Sequence, residues 1–90
     1  MDITDGAWEL SPRVALRQEA FGALAYHFGN RRLTFLKRPE LVAVVRALGE
    51  SPDARTALAT VGVPPAQTDA YLAALSGLAA ADMIRPRSAA

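Results

Sequence analysis

The sequence predicts an α+β fold, a three-stranded antiparallel sheet followed by three helices, on three observations. Between Arg13 and Lys37 three segments alternate large and small or apolar and polar residues with period two, the spacing of strands with two unlike faces. From Leu41 onward apolar residues recur at three- and four-residue intervals, the stripe of a helix packed on one side. Glycine, proline and capping residues cluster at the boundaries of these segments, with Ser76-Gly77 of the last one an exception.

Along the chain, residues 1–7 read as a loose lead-in. Trp8–Leu10 is a short apolar–polar–apolar piece, closed by Ser11-Pro12. Arg13–Arg17 alternates, with Val14 and Leu16 on one face, and Pro12 suits a strand start. The next strand sets Leu24, Tyr26 and Phe28 on one face and Ala23, Ala25 and His27 on the other. Gly29-Asn30 marks a hairpin turn, since both residues tolerate positive φ. Leu33 and Phe35 then share a face, opposite Thr34 and Leu36. Two registers, Tyr26 with Leu33 or Phe28 with Leu33, keep the same large side chains together. The alternation fits placing Trp8, Tyr26, Phe28 and Phe35 on the inward face of the sheet, in preference to a stacking platform for single-stranded nucleic acid.

Pro39 fits the first turn of a helix carried by Leu41, Val44, Val45 and Leu48, with Gly49 ending it. Ser51-Pro52-Asp53 caps a second helix, with Ala54, Ala57, Leu58 and Val61 on its packed face and Gly62 as its stop. Pro64-Pro65 opens a third helix whose apolar face is Tyr71, Leu72, Leu75, Leu78 and Ala79. Met83-Ile84 is expected to fold back on the core, and 87–90 to fray.

Ninety residues suit one domain over 1–90, with an ordered core about 8–86. At 51% hydrophobic and 21% charged the chain is globular in composition. A domain of this size buries a small core and has little room for a deep catalytic cleft. Without cysteine there is no disulfide, thiolate metal site or cysteine nucleophile. Ten basic against nine acidic residues give no field to gather nucleic acid. The N-terminus lacks the pattern of a signal peptide and no apolar run approaches the ~20 residues of a membrane span, so a cytoplasmic protein with no membrane partner is expected.

No constellation points to chemistry. His27, the single histidine, has no nucleophile or carboxylate arranged to use it and reads as a partly exposed strand residue. The carboxylates Glu40, Glu50, Asp53, Asp69 and Asp82 form no metal-ligand pattern, and no glycine-rich phosphate loop is present, so no metal and no cofactor is expected. The second and third helices, with the strands, suggest a winged-helix-like arrangement, which makes a DNA-binding regulator the alternative function. The first turns of the third helix, Pro65 to Ala70, carry an acid and no base, which argues against it.

The strand Leu33–Lys37 carries a mechanism. As the last strand of a sequential sheet it lies at an edge, where unpaired backbone groups accept another chain. The candidate peptide-binding residues are Leu33, Thr34, Phe35, Leu36 and Lys37, with Thr34 expected to present a backbone donor at the edge. Tyr71, Ala74, Leu75 and Leu78 of the third helix form the expected wall of a groove, with Lys37 and Arg38 available for acidic side chains. A homodimer through the same strand stays open.

The run FGALAYHFGNRRLTFLKRPELVAVVRAL, residues 21–48, with Tyr71-Leu72 and Met83-Ile84, resembles the peptide chaperones of mycofactocin biosynthesis. The resemblance spans Trp8 to Pro86. It implies kinship with the pyrroloquinoline quinone biosynthesis protein D family, the RiPP recognition element, whose members bind the precursor of a ribosomally made, modified peptide. That family has a winged-helix-like fold and takes the precursor peptide as an added strand along its third strand, beside its third helix. It implies a non-catalytic chaperone with two partners: the mycofactocin precursor peptide and a radical S-adenosylmethionine maturase, which carries the iron–sulfur clusters. By position, the resemblance places the peptide along Leu33–Lys37.

Overall fold

The computed structural model describes residues 2–4 and 6–87, so the fraying expected at 88–90 and the lead-in positions Met1 and Asp5 lie outside the described residues. In chain order the elements are β1 (Trp8–Leu10), β2 (Val14–Glu19), β3 (Gly22–His27), β4 (Leu33–Leu36), α1 (Pro39–Leu48), α2 (Ala54–Val61), α3 (Thr68–Ala80) and β5 (Ile84–Pro86), with a 3-10 turn at Pro65–Gln67 leading into α3. The α+β, winged-helix-like order read from the sequence stands. Strands β2, β3 and β4 form an antiparallel sheet in that order. Tyr26 pairs with Leu33 and Leu24 with Phe35, the first of the two registers that alternation allowed.

Pattern reading missed a second, two-stranded ribbon. β5 pairs antiparallel with β1, Trp8 opposite Pro86 and Leu10 opposite Ile84. Each strand is three residues long, too short for periodicity to register. The ribbon seats Trp8, Met83 and Ile84 in the core. Beyond the expected ordered span, Ile3 is buried, and Arg87 donates from its backbone to Ala7 at 2.8 Å. The Arg87 guanidinium also donates to the carbonyls of Leu48 (3.3 Å), Gly49 and Ser51 (2.7 Å). It thereby closes the C-terminal end of α1, where carbonyls lack helical partners and the helix dipole favours a cation.

The face of the sheet that turns inward is the opposite of the one expected. Ala23, Ala25, His27 and Leu36 are buried, while Phe28, Leu33 and Phe35 are 62%, 57% and 58% exposed; Leu24 and Tyr26 are half-buried. Trp8 alone of the four aromatics assigned to the core is deeply buried. Period-two alternation separates two faces but does not say which is covered. α1 packs across β3, and alanines there let the helix approach closely. The apolar volume comes instead from Val44, Val45 and Leu48 of α1, Leu58 of α2 and Leu75 of α3.

The ends of α1 and α2 follow the sequence, whereas Pro64-Pro65 opens a 3-10 turn and α3 itself begins at Thr68. Pro39 sits in the first turn of α1. The Asp53 carboxylate accepts the Thr56 N–H at 2.7 Å and caps α2. Gly62 is left-handed, φ 91°, and its N–H and that of Val63 return to the Leu58 carbonyl. Gly49 ends α1 as expected, but with a right-handed φ of −64°, and the chain turns there through the Ser51 N–H to Leu48 O and Ser51 Oγ to Ala47 O bonds.

Candidate functional site

β4 ends the sheet, and its hydrogen-bond parity decides which groups face outward. The His27 N–H donates to the Arg32 carbonyl at 3.0 Å. Bonded and non-bonded pairs alternate in an antiparallel ladder. Ala25–Thr34 and Ala23–Leu36 are therefore the bonded pairs, and Leu33 and Phe35 turn their N–H and C=O groups away from β3. The Phe28 N–H to Arg13 carbonyl bond (2.8 Å) fixes the complementary parity toward β2. Thr34, expected to offer its donor at the margin, thus faces β3 instead.

Both ends of β4 are held. At its start, His27 is buried and its Nδ1 accepts the N–H groups of Gly29 (2.9 Å) and Asn30 (3.1 Å). With Nδ1 an acceptor, the neutral ring carries its proton on Nε2. The histidine is a strand residue as expected, at the end of β3, but it is buried and organises the turn instead of being partly exposed. The side-chain oxygen of Asn30 accepts the Arg32 N–H (2.9 Å), and its amide donates to Ala81 O (3.2 Å), tying the hairpin to the end of α3. The left-handed residue of this turn is Arg31, φ 61°, and neither Gly29 nor Asn30. Gly29 is needed for space, since a Cβ there would lie 2.8 Å from the imidazole Cε1. At the other end, Gly22 (φ 147°) lies so close to β4 that a Cβ would stand 2.0 Å from the Leu36 carbonyl oxygen. A margin fixed at both ends loses little conformational freedom when a guest binds.

The two edges of the sheet differ in dress. β2 shows Arg17 and Glu19 on its outer side, paired at 3.2 Å, the charged edge that discourages strand pairing. β4 shows Leu33 and Phe35. Beside it a cavity of about 440 Å³ runs between the β4 margin and α3. Phe35 and Lys37 line it on the strand side, Arg38 and Leu41 at the entry of α1, and Ala70, Tyr71 and Ala74 on α3. Ala66 and Gln67 of the 3-10 turn close one end. Phe35 has the parity whose backbone groups face outward, and Lys37 follows just beyond the end of β4. Among the described residues, no carboxylate lies within ion-pair distance of Lys37 or Arg38.

Of the residues singled out from the sequence, the structure brings Phe35, Lys37, Tyr71 and Ala74 together on this cavity. Leu33 flanks it on the same strand, and Thr34 and Leu36 hold that strand to β3. Leu75 and Leu78 are 0% and 5% exposed, in the core beneath α3, and do not line the cavity. Sequence reasoning missed Leu41, Ala66, Gln67 and Ala70. Ala70 was legible in part, one turn before Ala74 on α3; the 3-10 turn had no signal beyond Pro64-Pro65.

Among the described residues no three His, Asp or Glu side chains gather as a metal site, and no helix is long and apolar enough to cross a membrane. Residues 7–85 match the model of the Peptide chaperone MftB family. The chain is 51% identical to a Peptide chaperone MftB of Mycobacterium tuberculosis (strain ATCC 25618 / H37Rv), over 92% of this chain and 76% of that one. It is 48% identical to a Peptide chaperone MftB of Mycobacterium ulcerans (strain Agy99), over 94% and 78%. Against a protein of the same description from Mycolicibacterium smegmatis (strain ATCC 700084 / mc(2)155) the figures are 49% over 91% and 80%. No solved structure is significantly similar.

Proposed function

The chain belongs to the peptide chaperone MftB family, and from that premise we propose that it captures the mycofactocin precursor peptide as an added strand along β4 and delivers it to a radical S-adenosylmethionine maturase. The observation that carries this reading is the outward parity of Leu33 and Phe35 on an edge with a cavity beside it. The guest exchanges main-chain hydrogen bonds with those two residues and Lys37. Thr34 and Leu36 keep β4 attached to the sheet behind it. Tyr71 and Ala74 form the wall, with Leu75 and Leu78 supporting α3 from beneath. Lys37 and Arg38 face carboxylates of the guest. Holding one part of the precursor raises the effective concentration of its reacting end at the enzyme, so the carrier needs no catalytic group of its own. The DNA-binding alternative rests on the winged-helix-like order alone, and the entry to the third helix, Pro65 to Ala70, carries an acid and no base.

The test is an N-methyl scan of a synthetic precursor peptide, read by affinity and by amide chemical shifts of the protein. Strand addition uses every second guest amide, so methylation weakens binding with period two. Each lost bond costs about 1 kcal/mol, roughly fivefold in affinity. Shifts should concentrate at Leu33–Lys37 and around Tyr71. Equal tolerance of methylation at all positions would overturn the proposal.

A further inference from the structure

The outer face of the sheet carries an apolar patch that lies outside the core and touches the groove only through Phe35. Phe35 meets Phe21 edge to face at 6.0 Å, and Tyr26 meets Phe28 at 5.2 Å. Leu33 and Phe35 sit on this face, opposite their β3 partners Tyr26 and Leu24. On this face exposure rises from β3 to β4. The β3 members are half-buried, flanked by a strand on each side, whereas Leu33 and Phe35 are more than half exposed. What those two lack is a lateral neighbour on the one side where a strand is missing.

We propose that the guest segment itself covers this flank, carrying large apolar side chains (aromatic or branched aliphatic) at alternate positions, i and i+2, that pack against Leu33 and Phe35 on the outer face. The inference rests on strand addition at β4 and specifies the class of peptide that site accepts. On the opposite side of the same guest strand, the alanines Ala70 and Ala74 of α3 leave room for the intervening residues.

Charge decides between a foreign peptide and a second copy as the occupant. Arg31 and Arg32 precede β4, and Lys37 and Arg38 follow it. Antiparallel self-pairing centred on Thr34 or Phe35 brings the basic end of one copy beside the basic end of the other, and parallel pairing sets like residues side by side. Like charges placed opposite one another destabilise pairing. A peptide with carboxylates beyond its apolar pair meets no such repulsion.

The experiment is a serine scan of the synthetic mycofactocin precursor peptide against the wild-type protein and the Leu33→Ser, Phe35→Ser and Arg17→Ser variants. Wild-type affinity should fall about two- to fivefold at each of two guest positions spaced i, i+2. Those same substitutions should lose most of their effect against Phe35→Ser or Leu33→Ser. Arg17→Ser, on the far edge, should bind as wild type does. In an antiparallel guest the serine-sensitive residues coincide with the methylation-sensitive ones; in a parallel guest the two sets interleave. The scan against wild-type protein stands even if a variant folds poorly. A flat serine scan beside a period-two methylation scan would overturn this inference and leave strand addition intact, whereas a flat methylation scan removes both. The inference also fails if Phe35→Ser abolishes a concentration-dependent dimer and leaves peptide affinity unchanged, because the patch then belongs to a second copy.

Discussion

One methyl group, added at three glycines in turn, should produce three different outcomes. At Gly22 the backbone has φ 147°, and an added Cβ stands 2.0 Å from the Leu36 oxygen and 3.2 Å from the Arg38 nitrogen. Neither obstacle is a flexible side-chain end, so the backbone of β4 must move. The conformational penalty of an L-residue there is about 1–2 kcal/mol, and the forced displacement adds about 1–3 kcal/mol. Gly22→Ala should therefore destabilise by roughly 3 kcal/mol. Gly62 has φ 91° with nothing within 4 Å of its Cβ position, so only the conformational penalty remains, about 1 kcal/mol. Gly49 is right-handed, φ −64°, and also open. There alanine should stabilise by about 0.4–1 kcal/mol, by narrowing the unfolded ensemble. Urea denaturation followed by far-ultraviolet circular dichroism measures all three. The reasoning fails if Gly22→Ala lies within about 1 kcal/mol of wild type, or if Gly49→Ala is as damaging as Gly62→Ala. The Gly22→Ala protein that remains folded should also bind precursor peptide more weakly, because the displaced Leu36 carbonyl carries Phe35 and Lys37 with it.

Arg87→Ala should cost about 2 kcal/mol, since its charged donors serve the carbonyls that end α1; a thermal melt checks this. The Thr56 N–H, first, and then the Thr56 side chain and the nearby Arg55 charge hold the Asp53 carboxyl below its ordinary value of 3.8. A depressed folded-state pKa adds stability above the unfolded value and loses it as pH falls through the folded one. The melting-point gap between wild type and Asp53→Ala should therefore be constant above pH 3.8 and close below it, while Asp53→Asn, a cap without charge, changes little with pH. Thr34→Pro removes a donor to β3 and should unfold the sheet, whereas Phe35→Pro removes an outward donor and should lower peptide affinity in a folded protein. Raising ionic strength shortens the Debye length from about 30 Å at 0.01 M to about 3 Å at 1 M. Light scattering should accordingly show more self-association at high salt, as the cations bracketing β4 are screened.

The sequence made the order of the three-stranded sheet and the helices legible because their boundaries carry local chemistry: Pro39 and Asp53 at helix starts, Gly62 at a stop. It made the exposed strand legible because β4 is the last of a sequential sheet. What stayed hidden depends on distant partners. The inward face was misread because alternation is blind to which side α1 covers, and size misled: Ala23 and Ala25 lie inside while Phe28 and Phe35 lie outside. The roles of Gly22 and Arg87 rest on approaches to Leu36 and to Leu48, Gly49 and Ser51, which no local pattern announces. His27 reads from the sequence as a partly exposed strand residue. Its service to the Gly29 and Asn30 amides became visible only once the turn was built.

The misread face is what gives the edge its meaning. Had Phe35 and Leu33 pointed into the core, β4 would offer only backbone, and any extended chain would satisfy it equally. With the large side chains outside, the edge combines generic main-chain bonding with selective apolar flanks. An apolar edge on a small domain is an aggregation hazard, and each side of this sheet meets the hazard differently. β2 uses the Arg17–Glu19 pair across its own surface. β4 keeps an apolar outer surface and sets Arg31, Arg32, Lys37 and Arg38 at the two ends of the strand, which under the proposed strand addition would repel a second copy and admit a peptide of opposite charge. Under that proposal the small inward alanines, the outward aromatics and the terminal cations are three parts of one physical solution: an edge open to a foreign strand.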